Sequence, residues 1–130
     1  MKKIEAIIRK ERFALVKEEL EKTGIPGLTT YEVKGRGQQR GLEFSHRVGT
    51  YRIDLLPKIK IEVVVADSDV DRIISSICRA ARTGEIGDGK IFVLPVENAK
   101  KIRTGESGEI AIATVSSYTG LEQEKSVPRG

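Results

Sequence analysis

The chain writes the same strand–helix–strand pattern twice, and a pattern that alternates and then turns helical in both halves leaves few folds open. Ile4, Ala6 and Ile8 alternate with Lys3, Glu5 and Ile7, which sets one side of an extended segment into a core. Phe13, Val16 and Leu20 then recur at helical spacing, Glu18 and Lys22 form an i,i+4 pair of favourable orientation, and Gly24 followed by Pro26 stops the helix. Residues 28–34 are β-branched and alternating and close the first unit as a strand. In the second half, Ile59, Ile61, Val63 and Val65 share one strand face while Lys58, Lys60, Glu62 and Val64 share the other. Ser68 is the expected N-cap of a second helix, with Asp69 and Asp71 in its first turn, a stripe of Val70, Ile73, Ile74, Ile77 and Ala81, and Arg79 and Arg82 at its C-terminal end. A last strand covers Lys90 to Leu94. The pattern predicts an α+β fold, a ferredoxin-like β-α-β-β-α-β sandwich with both helices on one face of an antiparallel sheet and a long loop between strands 2 and 3.

Such a sheet has a second face, and here Ile7, Tyr31 and Val64 fall on it among charged neighbours. Burial of that face by oligomerisation is the expected solution. A chain of 130 residues suffices for one domain with its own core. Cys78 and His46 stand far apart, so neither a disulfide framework nor a Cys/His metal site can be written; Cys78 reads as a small buried or half-buried apolar residue of the second helix. No run approaches the roughly 18 apolar residues of a membrane span, and the expected location is cytoplasmic without membrane insertion. The net charge of +4 is interspersed rather than blocked, which permits nucleic acid without demanding it.

Three stretches carry chemistry. Residues 83–90, Thr-Gly-Glu-Ile-Gly-Asp-Gly-Lys, hold three glycines followed at once by a lysine, which suits backbone N–H groups and an ammonium aimed at an anion. Gly84-x-x-x-x-Gly89-Lys90 matches most of a P-loop, but Ile91 stands where a magnesium-binding Ser or Thr belongs, and the order is helix to strand rather than strand to helix. The bland alternative is a helix C-cap at Gly84 followed by a plain turn. Residues 35–55 break all periodicity with Gly35, Gly37, Gly41, Gly49, Arg36, Arg40, Arg47 and Arg52, and a loop that long suits a flexible arm that orders on a ligand or partner. Lys101 and Arg103 alternate on one face of a segment read as extended, either a solvated surface or two cations for one anion. Residues 113–130 show little periodicity and read as a mobile tail.

Taken together, the opening Met1-Lys2-Lys3-Ile4-Glu5-Ala6-Ile7-Ile8-Arg9, the approach Glu32-Val33-Lys34-Gly35-Arg36-Gly37, the exit Leu55-Leu56-Pro57-Lys58-Ile59-Lys60-Ile61-Glu62, the glycine loop and Ile102-Arg103-Thr104-Gly105-Glu106 closely resemble the PII nitrogen-regulatory signal-transduction family, in order and spacing, across residues 1–112. The resemblance implies a homotrimer with ATP or ADP in each cleft between subunits. It would assign nucleotide binding to Thr29, Gly35, Gly37, Gln38, Glu62, Val64, Gly87, Asp88, Gly89 and Lys90, with Lys101 and Arg103 from the neighbouring subunit. Thr29, Glu62 and Val64 would line the adenine and ribose side. It further implies 2-oxoglutarate as a second effector, held by Gln39, Arg40, Gly41 and Lys58 and chelating an Mg2+ shared by ATP and the Gln39 amide. The stretch 35–55 would be the T-loop, whose residues 36–54 contact targets such as an ammonium channel, a metabolic enzyme or a transporter; residues 101–112 would be the C-terminal loop. Tyr51 occupies the place of the modified tyrosine of relatives. Departures are Gln38 and Lys101 where arginine is commoner, and an apex of His46-Arg47-Val48-Gly49-Thr50-Tyr51, which leaves open a variant that senses adenine nucleotides alone.

Two other classes fit less well. An RNA-recognition module shares the topology, but the first strand carries no aromatic on which a base could stack. An enzyme needs a nucleophile, base or carboxylate pair, and no such set is visible.

Overall fold

The strand that opens the chain, β1 (Lys2–Arg9), becomes the centre of the sheet because β5 (Leu56–Val65) and β6 (Gly89–Pro95) pair antiparallel along its two edges. Opposite β1, β5 takes β2 (Thr29–Gly35), which gives a four-stranded sheet of order β2-β5-β1-β6. The computed structural model describes residues 1–25, 27–36, 42–46, 49–53 and 55–113, and of 42–46 and 49–53 the backbone alone. The helices α1 (Phe13–Lys22) and α2 (Val70–Ala81) fill the two crossovers, as the repeated pattern predicts.

One core joins these layers. Ile4, Ala6 and Ile8 of β1 and Ile59, Ile61, Val63 and Val65 of β5 pack with Val16 and Leu20 of α1 and with Ile73, Ile77, Ala80 and Ala81 of α2. Each of the larger aliphatic chains contributes about 1.5–3 kcal/mol by leaving water, which is why the alternating residues choose this face and fix the register. Val70 and Ile74 pack at the edge of the cluster. In α1 the Lys22 ammonium lies 3.9 Å from Glu18 and 3.0 Å from Glu19. At the C-terminal end of α2, the Arg12 guanidinium donates to the Ala80 carbonyl at 2.9 Å, meeting an acceptor that the last turn leaves unpaired.

On the opposite face, Glu5, Lys60 and Glu62 form a half-buried charge ladder with Lys3. The Lys3 ammonium lies 3.0 Å from Glu5, and Lys60 lies 3.6 Å from both Glu5 and Glu62. Tyr31 donates its hydroxyl to Glu62 at 2.5 Å and lies under the Lys60 ammonium. Chiefly by that hydrogen bond, the Glu62 carboxyl is held below its usual range and the Tyr31 phenol above. Ile7 and Val64 are half-buried and Tyr31 is exposed, so no element of the described chain covers this face.

Three local expectations are corrected. Cys78, expected to be buried or half-buried, is exposed on α2, outside the stripe of Ile73 and Ile77 that enters the core. Ser68 does not cap α2: Asp67–Asp69 form a 3-10 turn, Asp69 stands at the cap position without a side-chain cap bond, and its carboxylate accepts instead from Arg72 at 3.0 Å. Asp67 is meanwhile drawn to the N-terminal ammonium at 3.0 Å. Within 35–55, read as loop throughout, the backbone forms a hairpin of β3 (Leu42–His46) and β4 (Gly49–Ile53), with Leu42 opposite Ile53 and Phe44 opposite Tyr51. These strands are short, and their β-formers are diluted by Glu, Ser and Arg, so no alternation stands out even though Phe44, Thr50, Tyr51 and Ile53 favour extended backbone. The hairpin forms its own two-stranded sheet.

Candidate functional site

The glycine loop is built by a chain that must leave α2, reverse, and enter β6 hard against β1. The helix ends at Ala81, with Arg82 already extended, so Gly84 is not its C-cap; the chain turns further along, at residues 86–87. Gly84, Gly87 and Gly89 all take positive φ, at 91°, 107° and 103°. At Gly89 the requirement is absolute, since a Cβ there would stand 1.8 Å from the Ile7 carbonyl oxygen.

Asp88 organises the loop from within. Its carboxylate accepts from the backbone N–H groups of Thr83 and Gly84 at 2.9 Å each, from the Thr83 hydroxyl, and from Arg9 Nε at 3.0 Å. The second arm of Arg9 donates to the Ile86 carbonyl at 2.8 Å, and Thr83 Oγ1 accepts from the Glu85 N–H at 3.1 Å. Led by the Thr83 hydroxyl, these donors hold the Asp88 carboxyl far below the ordinary carboxylate range. The stability carried by such a depressed group is present above its unfolded value near pH 4 and lost as pH falls through the folded one. Asp88→Asn is therefore expected to destabilise the protein at pH 7 and to converge on the wild type as the pH is lowered towards 2, measured by urea unfolding along a pH series.

Beside this loop, Lys58 donates from its ammonium to the Gly87 carbonyl at 2.7 Å. Partial burial, together with the nearby Arg9 charge, lowers the Lys58 pKa, and an anion at this spot would relieve both effects. The result is a cleft of about 440 Å³, within the range of small-molecule sites, between the glycine loop, the end of β2 and the open face of β1. Of the expected residues it gathers Gly35, Lys58, Gly87, Asp88, Gly89 and Lys90. Among the described residues no acceptor meets the Lys90 ammonium.

Other expected residues stand elsewhere. Thr29, opposite Glu62 in the register, and Val64, opposite Lys3, lie on the same open face but away from the cleft. Lys101 and Arg103 do not line it in the single chain. They do not lie on an extended segment either: residues 102–104 form a turn, closed by Gly105 N–H to the Lys101 carbonyl at 2.8 Å and Lys101 N–H to the Glu106 carbonyl at 2.9 Å. Gly105 at φ 77° makes that reversal possible. Gly37, Gln38, Gln39, Arg40 and Gly41 lie outside the described residues, as does the side chain of Tyr51.

Sequence reasoning missed Arg9 and, among the residues that line the cleft, Ile7, Arg36, Leu56, Glu85, Ile86 and Phe92. The signal for Arg9 was present, because alternation in β1 puts Arg9 on the same side as Ile7, the side that faces the cleft.

A ferredoxin-like α+β domain with a glycine-walled cleft at the end of its sheet is thus the class that fold and site define. The family described as Nitrogen regulatory protein P-II matches residues 1–106, and the chain belongs to it. Among its relatives, "Nitrogen regulatory protein P-II 2" of Methanothermobacter thermautotrophicus is 54% identical over 112 residues, 86% of this chain and 97% of the relative. "Nitrogen regulatory protein P-II" of Azospirillum brasilense is 55% identical over 112 residues, 86% of this chain and all of the relative, and its namesake in Cereibacter sphaeroides 53% over the same shares. No helix among the described residues is long and apolar enough to cross a membrane.

Proposed function

We propose that the chain is a P-II-type signalling protein, not an enzyme, which binds ATP or ADP at the glycine loop, senses 2-oxoglutarate beside it, and regulates nitrogen or carbon metabolism by presenting residues 36–54 to target proteins. The observation that carries this reading is the convergence of Gly35, Gly87, Gly89, Lys58 and Lys90 on one cleft of small-molecule size. Positive-φ glycines let a phosphate approach the main chain closely, and the Lys90 ammonium supplies charge for it. Lys101 and Arg103, which do not line the cleft in one chain, come from a neighbouring copy in this account, and Thr29, Glu62 and Val64 line the adenine and ribose side. The assembly is a homotrimer, and its formation covers the half-buried ladder of Glu5, Lys60 and Glu62. Light scattering is expected to give three times the monomer mass at micromolar concentration; a monomer there contradicts the shared site.

The second effector would place a carboxylate on Lys58, and an Mg2+ held by the ATP phosphates and the Gln39 amide would supply a cation for the acid's oxygens. The acid is then expected to bind only with ATP and Mg2+ together, and to tighten ATP by the factor by which ATP tightens it. ATP titrations with and without 2-oxoglutarate at fixed Mg2+ test this, and Gln39→Ala or Lys58→Ala abolish the effect of the acid while leaving most ATP binding. An unchanged ATP affinity in the wild type marks a sensor of adenine nucleotides alone.

A further inference from the structure

We propose that Arg9 and Asp88 form a clasp that sets the shape of the glycine loop before any ligand arrives, so that Arg9 is a positioning residue and the Asp88 side chain serves the site by holding the loop. The inference rests on the nucleotide reading above and adds the device that makes the cradle rigid. Arg9 stands at the end of β1 and reaches two points of a loop almost eighty residues away, the Asp88 carboxylate at 3.0 Å and the Ile86 carbonyl at 2.8 Å. Asp88 gathers the other end of the same loop through the N–H groups of Thr83 and Gly84 and the Thr83 hydroxyl. The two side chains thus tie residues 83, 84, 86 and 88 to the rim of the sheet, while Gly89 is fixed against the Ile7 carbonyl. Without such ties, a loop with glycines at 84, 87 and 89 has many conformations to lose on binding, and each ordered residue costs about 1–2 kcal/mol in backbone entropy. A clasp made at folding removes that cost from the binding step.

The charges make the idea decisive to test, because clasp and simple electrostatics predict opposite signs. Asp88→Asn removes a negative charge beside a proposed anion site, which by Coulomb attraction alone tightens ATP. If the clasp governs, the same change loosens the loop and weakens ATP. Arg9→Lys keeps the positive charge but cannot span both acceptors, so it weakens ATP nearly as much as Arg9→Met if geometry matters, and hardly at all if charge does. The experiment is calorimetric titration of the full-length protein and these variants with ATP, alongside amide hydrogen exchange of residues 83–89 in the ligand-free proteins. The expected result is about ten-fold weaker ATP for Asp88→Asn and for both Arg9 variants, with exchange at residues 83–89 accelerated more than in β1 and β5, where only the loss of global stability shows. ATP affinity that is unchanged or tighter in Asp88→Asn, or retained in Arg9→Lys, overturns the clasp. Absence of ATP binding by the wild type overturns the nucleotide reading instead, and loop exchange that stays slow in Arg9→Met then overturns the clasp by itself. Should Asp88→Asn fail to fold, Arg9→Lys carries the same comparison.

Discussion

Gly89→Ala is expected to lower the unfolding free energy by about 3 kcal/mol or more, among the largest effects of any single change at the protein's surface. The added Cβ would lie 1.8 Å from the Ile7 carbonyl oxygen and 2.9 Å from its carbon, and these are backbone atoms of the central strand that no rotamer change can move aside. The φ of 103° is also unfavourable for any residue with a Cβ. Relief requires β6 to part from β1 where Gly89 faces Ile8, and that is where the cleft begins. Gly84→Ala supplies the control: φ is 91° there, but nothing lies within 4 Å of the new Cβ, so only the backbone cost of about 1–2 kcal/mol applies. Urea denaturation at pH 7 should place the Gly89→Ala midpoint well below that of Gly84→Ala. Coincident midpoints would mean that the two strands are not held as closely as described.

Lys90→Ala and Arg103→Ala should each weaken ATP roughly ten- to a hundred-fold while leaving the unfolding midpoint nearly unchanged. A charge-assisted hydrogen bond to phosphate contributes about 1.5–3 kcal/mol, and every 1.4 kcal/mol is a factor of ten. Lys90 lines the cleft, and truncating it orphans no buried acceptor among the described residues. Arg103 belongs to the exposed turn that closes on Lys101. Its loss affects ATP only if the turn of a neighbouring copy reaches the cleft, so calorimetry on Arg103→Ala tests the shared site independently of the trimer mass.

How far the chain could be read from its residues follows from which interactions have a period. The core was legible because Ile4, Ala6, Ile8, Ile59, Ile61, Val63 and Val65 repeat every second residue and Val16, Leu20, Ile73 and Ile77 recur at helical spacing. Register and helix placement follow from burying those faces together. The glycine loop was legible as a composition, but its internal order was not, since the bonds from Asp88 to Thr83 and Arg9 join positions that no periodicity relates. The turn at 102–104 escaped because alternation of Lys101 and Arg103 says nothing of the Gly105 φ that folds the segment back. Ser68 was displaced as a cap by competition: with Asp67, Ser68 and Asp69 adjacent, side-chain preference alone cannot tell which one starts the helix, and the ion pairs of Asp67 and Asp69 decide it. The resemblance to the P-II family rested on motif order, and the match over residues 1–106 bears it out.

In the proposed function the cleft takes a nucleotide through its phosphates and not a nucleic acid across the sheet. On the open face, the aromatic residues Tyr31 and Phe92 sit on the edge strands β2 and β6, while the central strands β1 and β5 carry the ion-paired ladder of Glu5, Glu62, Lys3 and Lys60, with no aromatic on which a base could stack. The direct measurement is a calorimetric titration of the wild-type protein with ATP in Mg2+ and, separately, with a single-stranded polynucleotide at the same ionic strength. The account predicts saturable ATP binding at one nucleotide per chain and no heat from the polymer beyond dilution; polymer binding without ATP binding would contradict it.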